Sequence, residues 1–414
     1  MAEVSKSSNV YAVLSKCLPP RNQDDDYKWQ LTGPHLASML HAAGYTPEKQ
    51  FESILYHYHW FVPYMGPKPG PNGSLKWESL LGHEGSPIEY SWKWNTAAGK
   101  PDVRFTMEGI NQFTGAAMDP LNQQASIELL HRLKEAIPSV DLTWANHFIN
   151  TLFDHDRSRY VQQAAAGAHY TTTIMTAAEF LPAGMRLKTY FIPRRLGQTE
   201  EQIPMALWEE KLDPDSPARA AMHKFLNSHP EGQALSPFML AMDDVAPSQA
   251  RLKLYFQTPH TSFNSVLSFM SLGGLTPLSS QQTADLRSLV AASLGANFPD
   301  DQEVPYPAAY HPAAEDNFVE LPILLAGYLY YFDIAPGHQA LRADAVLRAR
   351  RPPARAGAGP VDERAWAGRL HGKILGDAGG HGAASGAGGW EGDADGGEEG
   401  WDGWEAVAEG YEAE

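Results

Sequence analysis

Cysteine is almost absent: Cys17 stands alone in 414 residues. No intrachain disulfide can form, and a metal centre built on cysteines is excluded. Positive charge is scarce too, with 32 Lys and Arg against 49 Asp and Glu and a formal charge of −17. A general nucleic-acid binder needs a basic footprint, so any cationic site here has to be local and enclosed. Long apolar runs are missing as well. The longest, Leu321 to Phe332, is too short to cross a bilayer, and Met1 to Asn9 lacks the apolar core of a signal peptide. These absences predict a soluble protein of a reducing compartment, the cytosol, with no membrane or nucleic-acid partner.

Several chemical motifs are also lacking. No Walker A loop, GxSxG elbow or HExxH helix occurs. Asp24-Asp25-Asp26, Asp243-Asp244 and Asp300-Asp301 all lack the spaced third aspartate of a DDxxD magnesium-diphosphate motif. These acidic pairs read as solvated turns or helix starts, and the 16 scattered histidines as core or surface residues; no metal site is expected.

What is present is alternation. Arg251, Lys253, Tyr255 and Gln257 alternate with Leu252, Leu254 and Phe256, so one strand shows two cations and a phenol on a single face. Arg186, Lys188 and Tyr190 alternate with Leu187, Thr189 and Phe191. Arg104, Thr106 and Glu108 alternate with Val103, Phe105 and Met107, and Glu89, Ser91 and Lys93 with Ile88, Tyr90, Trp92 and Trp94. One such strand would merely face water. Four ask for a shared polar interior.

Helical spacing covers His35–Tyr45 and Pro47–Tyr64, then Pro120–Ala136 and Val140–Phe153. A strand through His169–Met175 is expected to pair with Arg186–Ile192 across Pro182-Ala183-Gly184. Helices follow at Glu200–Leu212 and Ser216–His229, strands at Phe238–Met242 and Arg251–Gln257, a helix at Ser279–Gly295 and a strand at Gly327–Ile334. Two helices and two strands thus repeat. The fold class is α+β: an antiparallel barrel ringed by helices, with apolar strand faces outward and charged faces lining the lumen.

Near Leu341 the composition changes. Residues 341–414 hold 17 of the 36 glycines and no Phe, and no strand or helix period is sustained there. The domain reading is a barrel over 1–340 and a low-complexity segment over 341–414. Two origins for that segment stay open, a natural disordered tail or a frame or splice change in a GC-rich coding sequence.

Cations and phenols enclosed at low effective dielectric suit a strongly anionic ligand. A diphosphate leaving group fits, because Arg104, Lys188, Arg251 and Lys253 would stabilise the charge that develops as its carbon–oxygen bond breaks. Tyr190 and Tyr255 would shield an allylic cation, each ring worth about 0.5–2 kcal/mol. Glu89 has two readings: it orients a substrate ring through an N–H, or it pairs structurally with Arg104 or Lys93.

At these residues the chain resembles the fungal aromatic prenyltransferases of the dimethylallyltryptophan synthase type. The matching pieces are Gly85-Ser86-Pro87-Ile88-Glu89-Tyr90-Ser91-Trp92, Val103-Arg104-Phe105, Leu187 to Pro193, Arg251 to Tyr255 and Leu329 to Ile334. The resemblance implies a ten-stranded barrel of ααββ units and cofactor-free, metal-independent transfer of a prenyl group, usually dimethylallyl, to an indole or related ring. It implies Glu89 on the indole N–H, Arg104, Lys188, Arg251 and Lys253 on the diphosphate, and Tyr190 and Tyr255 as the shield. There are two departures. The strand position where tryptophan-prenylating members carry a proton-accepting lysine falls near Met175, which points to a different indole acceptor such as a tryptophan-containing cyclic dipeptide. Beyond Pro336 the family's last strands have no counterpart, which predicts two open edges, a wet lumen and weak activity. A non-catalytic ligand-binding protein and a prenyltransferase for phenolic or polyketide rings stand as alternatives.

Overall fold

The computed structural model describes residues 10–81, 86–93, 101–168, 170–198, 202–294, 297–304, 328–336, 342–348 and 405–408. Its strands follow the alternation. β1 (Ile88–Lys93), β2 (Asp102–Glu108), β3 (Ile174–Leu181), β4 (Gly184–Phe191), β5 (Ser236–Asp243), β6 (Leu252–Thr258) and β7 (Tyr328–Ile334) form one continuous antiparallel sheet in chain order. The register fixes which side chains share a face. Ser91 pairs with Arg104, Arg104 with Glu179, Ala177 with Lys188, Lys188 with Asp243, Ala241 with Lys253 and Lys253 with Asp333. Since alternate residues point to opposite faces, every charged position in that chain of pairs faces the same interior.

Helices cover the other face. α1 (Val10–Cys17), α2 (Gln23–Ala42) and α3 (Pro47–Tyr56) pack on one another, and a π-helical turn, His57–Phe61, continues α3. Phe105 meets Phe61 and His57 edge-on, with ring centroids 4.8 and 5.5 Å apart. Tyr90 donates its hydroxyl hydrogen to the Thr32 carbonyl at 3.0 Å. α4 (Gln124–Ala136), α5 (Thr143–Thr151) and α6 (Arg157–Ala165) precede the second hairpin, and α7 (Met205–Trp208), α8 (Pro217–Ser228) and α9 (Pro230–Gln233) the third. α10 (Phe263–Met270) and α11 (Ser280–Leu294) precede β7. The outer core joins Val103, Phe105, Leu187, Phe191, Leu254 and Phe332 to these helices. Burying each such side chain contributes roughly 1.5–3 kcal/mol.

Several expectations are corrected. α2 begins at Gln23, not at His35: Asn22 caps it by accepting from the Asp24 and Asp25 amides, and Asp24 to Asp26 sit favourably in its first turn. Pro34 lies inside the helix and reads from sequence as a break. The second hairpin's first strand runs Ile174–Leu181, five residues later than its expected start, with His169 outside the described residues. Alanine-rich Thr176-Ala177-Ala178-Glu179 favours helix locally, and pairing with β4 overrides that preference.

The expected open edges are absent among the described residues. β8 (Arg342–Arg348) pairs antiparallel with β7, and β9 (Glu405–Ala408) runs parallel to β8 and antiparallel to β1, closing a nine-stranded ring where an incomplete barrel without the family's last strands was expected. The exposed N–H and C=O groups of β1 and β7 call for partners, and two short segments of 341–414 supply them. Four residues between glycine-rich runs carry too little alternation to read as a strand. Residues 349–404 and 409–414 lie outside the described residues.

Candidate active site

The lumen divides along the strands. At one end the register gathers Arg104, Arg186, Lys188, Arg251 and Lys253 with the carboxylates Glu179, Asp243 and Asp333. Arg104, Lys188 and Lys253 are buried, and Arg251 is half-buried. Glu179 Oε2 lies 3.4 Å from both Lys188 Nζ and Arg186 Nη1. Arg251 bridges two acids, with Nε 2.7 Å from Asp243 Oδ2 and Nη1 3.1 Å from Asp333 Oδ2. Arg104 Nε donates to Ser91 Oγ at 2.6 Å.

The electrostatics follow from this interleaving. Burial pushes Lys188 down to about 8, against the pull of Glu179, and burial again brings Lys253 down to about 7, against Asp333. Desolvation works to raise Glu179, but Lys188, Arg104, Lys93 and Arg186 outweigh it and hold the carboxyl at about 2. Asp243 is likewise held low, its desolvation overcome by Arg251 and Lys188. Arg251 is held further up by Asp333 and Asp243 than burial depresses it. The cations are thus pre-positioned by acids, and their net positive charge faces a low-dielectric space.

The other end is apolar and aromatic. Met175, Ala177, Tyr190, Ile192, Ala241, Tyr255 and Tyr331 form one buried cluster with Leu80 and Leu81. The Tyr190 and Tyr255 rings are 6.0 Å apart, and those of Tyr255 and Tyr331 4.9 Å. Lys253 Nζ sits 4.0 Å from the Tyr331 centroid, where ammonium and ring quadrupole attract. Burial raises both Tyr190 and Tyr255, so each stays a neutral phenol. Glu89 is half-buried on β1, opposite Thr106 and close enough to Tyr190 to raise its hydroxyl. Met175 pairs with Tyr190 inside the lumen.

All seven sequence-predicted site residues therefore face one chamber: Arg104, Lys188, Arg251, Lys253, Tyr190 and Tyr255 closely, Glu89 nearer the apolar end. Sequence reasoning missed the acids. Glu179 fell beyond the strand's expected end, although its spacing from Ala177 and Met175 carried the signal. Asp243-Asp244 was expected to be a solvated turn, yet Asp243 ends β5 inside the lumen and Asp244 is buried on the outer side. There Thr189 Oγ1 donates to both Asp244 oxygens, at 3.0 and 2.9 Å, and burial lifts its carboxyl to about 8. Tyr331 was also missed; it lies on the same face as Asp333, two residues away.

A family model described as tryptophan dimethylallyltransferase matches residues 24–346, which hold every one of these side chains. The chain belongs to that family. It is a prenyltransferase with the family's α–β–β–α barrel. It is 61% identical over 343 residues to the prenyltransferase anuH of Penicillium roqueforti, covering 81% of this chain and 76% of the relative. It is 44% identical over 347 residues to xanthone prenyltransferase B of Emericella nidulans, covering 81% and 75%. Among solved structures it is similar to NotF in complex with brevianamide F and DMSPP, with a TM-score of 0.62 and 20% identity over 82% of this chain and 80% of that one. That last likeness speaks to fold alone. Among the described residues no helix is long and apolar enough to cross a membrane.

Proposed function

We propose that this enzyme transfers a dimethylallyl group from its diphosphate to an electron-rich aromatic ring, without a metal ion. The observation that carries the reading is the division of one lumen into a cationic end and a tyrosine-lined apolar end. Arg104, Lys188 and Lys253 take the diphosphate, with Arg251 fixed beside them by Asp243 and Asp333. As the allylic carbon–oxygen bond breaks, its electron pair leaves on the diphosphate, whose growing charge these cations stabilise without reorganising. Tyr190, Tyr255 and Tyr331 offer their ring faces to the cation. The acceptor ring attacks the allylic carbon and then gives its proton to the departed diphosphate, which restores aromaticity.

Two acceptor classes fit Glu89, which can accept a hydrogen bond from an indole N–H or a phenol O–H and so orient the ring. We favour a phenolic polycyclic ring. The 44% identical relative is named a xanthone prenyltransferase, whereas the indole-bound neighbour is only 20% identical. Met175 supports this choice as well, because a phenol activates its own ring and places less demand on a lysine at that position. An indole such as a tryptophan-containing cyclic dipeptide is the second reading.

The test is incubation of the full chain with dimethylallyl diphosphate and EDTA, against hydroxyxanthone, naphthol, tyrosine, tryptophan and a tryptophan-containing cyclic dipeptide. The expected result is a product one C5H8 unit heavier, fastest with the phenolic polycycles. No product with any acceptor, or product only after divalent metal is added, contradicts the reading.

A further inference from the structure

Glu108 is a further carboxylate on the lumen side of β2. It is fully buried at the end of β2, opposite Met175, where a charge is costly unless hydrogen-bonded. Its partners are neutral donors, most of them from one segment. Trp77 Nε1 donates to Oε2 at 3.1 Å and the Leu80 amide to Oε1 at 3.0 Å, and the Ser79 hydroxyl also bonds it. From the scaffold, Thr172 Oγ1 donates to Oε2 at 2.5 Å. Thr172 Oγ1 in turn accepts from Trp77 Nε1 and from Asn122 Nδ2.

That segment matters because of what it carries. Leu80 and Leu81 belong to the lumen's apolar cluster beside Met175, Tyr190 and Tyr255. They reach it from a loop after Tyr64 whose described residues, 65–81, form no helix or strand, already longer than most connections in compact domains and of the length that usually serves function. The loop starts at Gly66, where φ is +70° and an added Cβ would lie 2.5 Å from Ile110 Cγ2, so no side chain fits. Residues 67–78 are exposed or half-buried, so burial begins only at Ser79, where the Glu108 bonds are. Lys76 Nζ adds a tether to the Asn111 and Gln112 carbonyls, at 3.2 and 2.6 Å.

We propose that Glu108 is a positioning residue that latches segment 77–81 across the apolar end of the lumen, and so keeps water from the allylic cation. This rests on the prenyl-transfer reading given above. With the latch open, water competes with the acceptor ring. The carbon–oxygen bond to the diphosphate breaks as before, its electron pair leaving with the diphosphate. A water oxygen then forms the new bond to the allylic carbon and gives its extra proton to solvent, yielding the free prenyl alcohol.

Three full-length variants test it. Glu108→Ala removes the latch, Glu108→Gln keeps one accepting oxygen, and Trp77→Phe deletes one donor without entering the barrel. Hydrogen exchange of segment 76–81 and the ratio of prenyl alcohol to prenylated acceptor are measured for each. For Glu108→Ala, exchange in 76–81 rises about tenfold or more while β3, β4 and β6 stay protected, and the alcohol share rises by a similar factor. Glu108→Gln and Trp77→Phe fall between it and the parent. Unchanged exchange in 76–81 overturns the latch, as does exchange rising equally in the strands, which marks an ordinary core residue. A loosened segment with an unchanged alcohol share overturns the water-excluding role. A parent enzyme that prenylates nothing while its loop responds as stated removes the function proposed above and leaves the loop-holding role of Glu108 standing.

Discussion

The two ends of the lumen are built from the same strands by opposite rules. On β4, Lys188 and Tyr190 are two residues apart; one joins Glu179 at 3.4 Å, the other the Met175 cluster. On β6, Lys253 and Tyr255 repeat the step, and on β7 Asp333 and Tyr331 do so again. The charged end sets Arg104, Arg186, Lys188, Arg251 and Lys253 among Glu179, Asp243 and Asp333, each cation placed by a neighbour before any ligand arrives. The apolar end holds rings and methyl groups that exclude water and bind nothing by charge. Pulling off an anion and protecting a carbocation make conflicting demands on solvent polarity. One β-rise between adjacent same-face residues, about 7 Å, separates them.

Breaking the charged end is expected to have the largest effect. Glu179→Gln leaves Lys188 and Arg186 facing a neutral amide, and losing one member of a buried ion pair costs about 3–5 kcal/mol, read as a lower urea midpoint at pH 7. The sign with pH follows from the lowered carboxyl. Its stabilisation is fully present above the unfolded value near 4.5 and disappears as pH falls toward about 2, so parent and variant converge across that window. Equal stability at pH 7 would mean the acid does not hold the cations.

Deleting a cation itself comes next. Arg104→Ala or Lys188→Ala lowers kcat/KM for the diphosphate about 10²–10³-fold, while acceptor KM changes little. Glu89→Ala reverses that pattern: acceptor KM rises about tenfold or more and diphosphate KM stays put. If both variants disturbed both substrates equally, the two ends would not be separate sites.

The smallest effect is a titration. Lys253 and Lys188 lose their charge as pH rises through about 7 and 8, so kcat/KM for the diphosphate falls on the alkaline side, by about tenfold at pH 9. Lys253→Arg keeps its charge there and flattens the fall. A profile rising through that range would assign the lysines another task.

The strand alternation made most of this chamber legible. Leu252 to Gln257 and Arg186 to Phe191 announce their faces residue by residue, because a half-buried strand writes its two environments into a period of two. The helices were harder. α1, α6, α9 and α10 were missed, and α2 was halved by Pro34. The acids were hardest of all. Glu179 sits in an alanine-rich stretch whose local preference is helical, and Asp243 is the last residue of β5 and Asp333 the last but one of β7, places where an aspartate ordinarily marks a turn. Their role depends on register between strands far apart in sequence, and no local pattern encodes that. Glu108 had its face predicted by alternation, but its partners Trp77 and Leu80 come from a loop with no periodicity to read.

The central claim is that cations from successive hairpins converge on one diphosphate. A crystal structure of the full chain grown in EDTA with dimethylallyl thiolodiphosphate tests it most directly. The account predicts phosphate oxygens within hydrogen-bond reach of Arg104, Lys188 and Lys253, with the prenyl chain against Tyr190 and Tyr255. An analogue bound outside the barrel, or held inside with its diphosphate away from those three side chains, would contradict it.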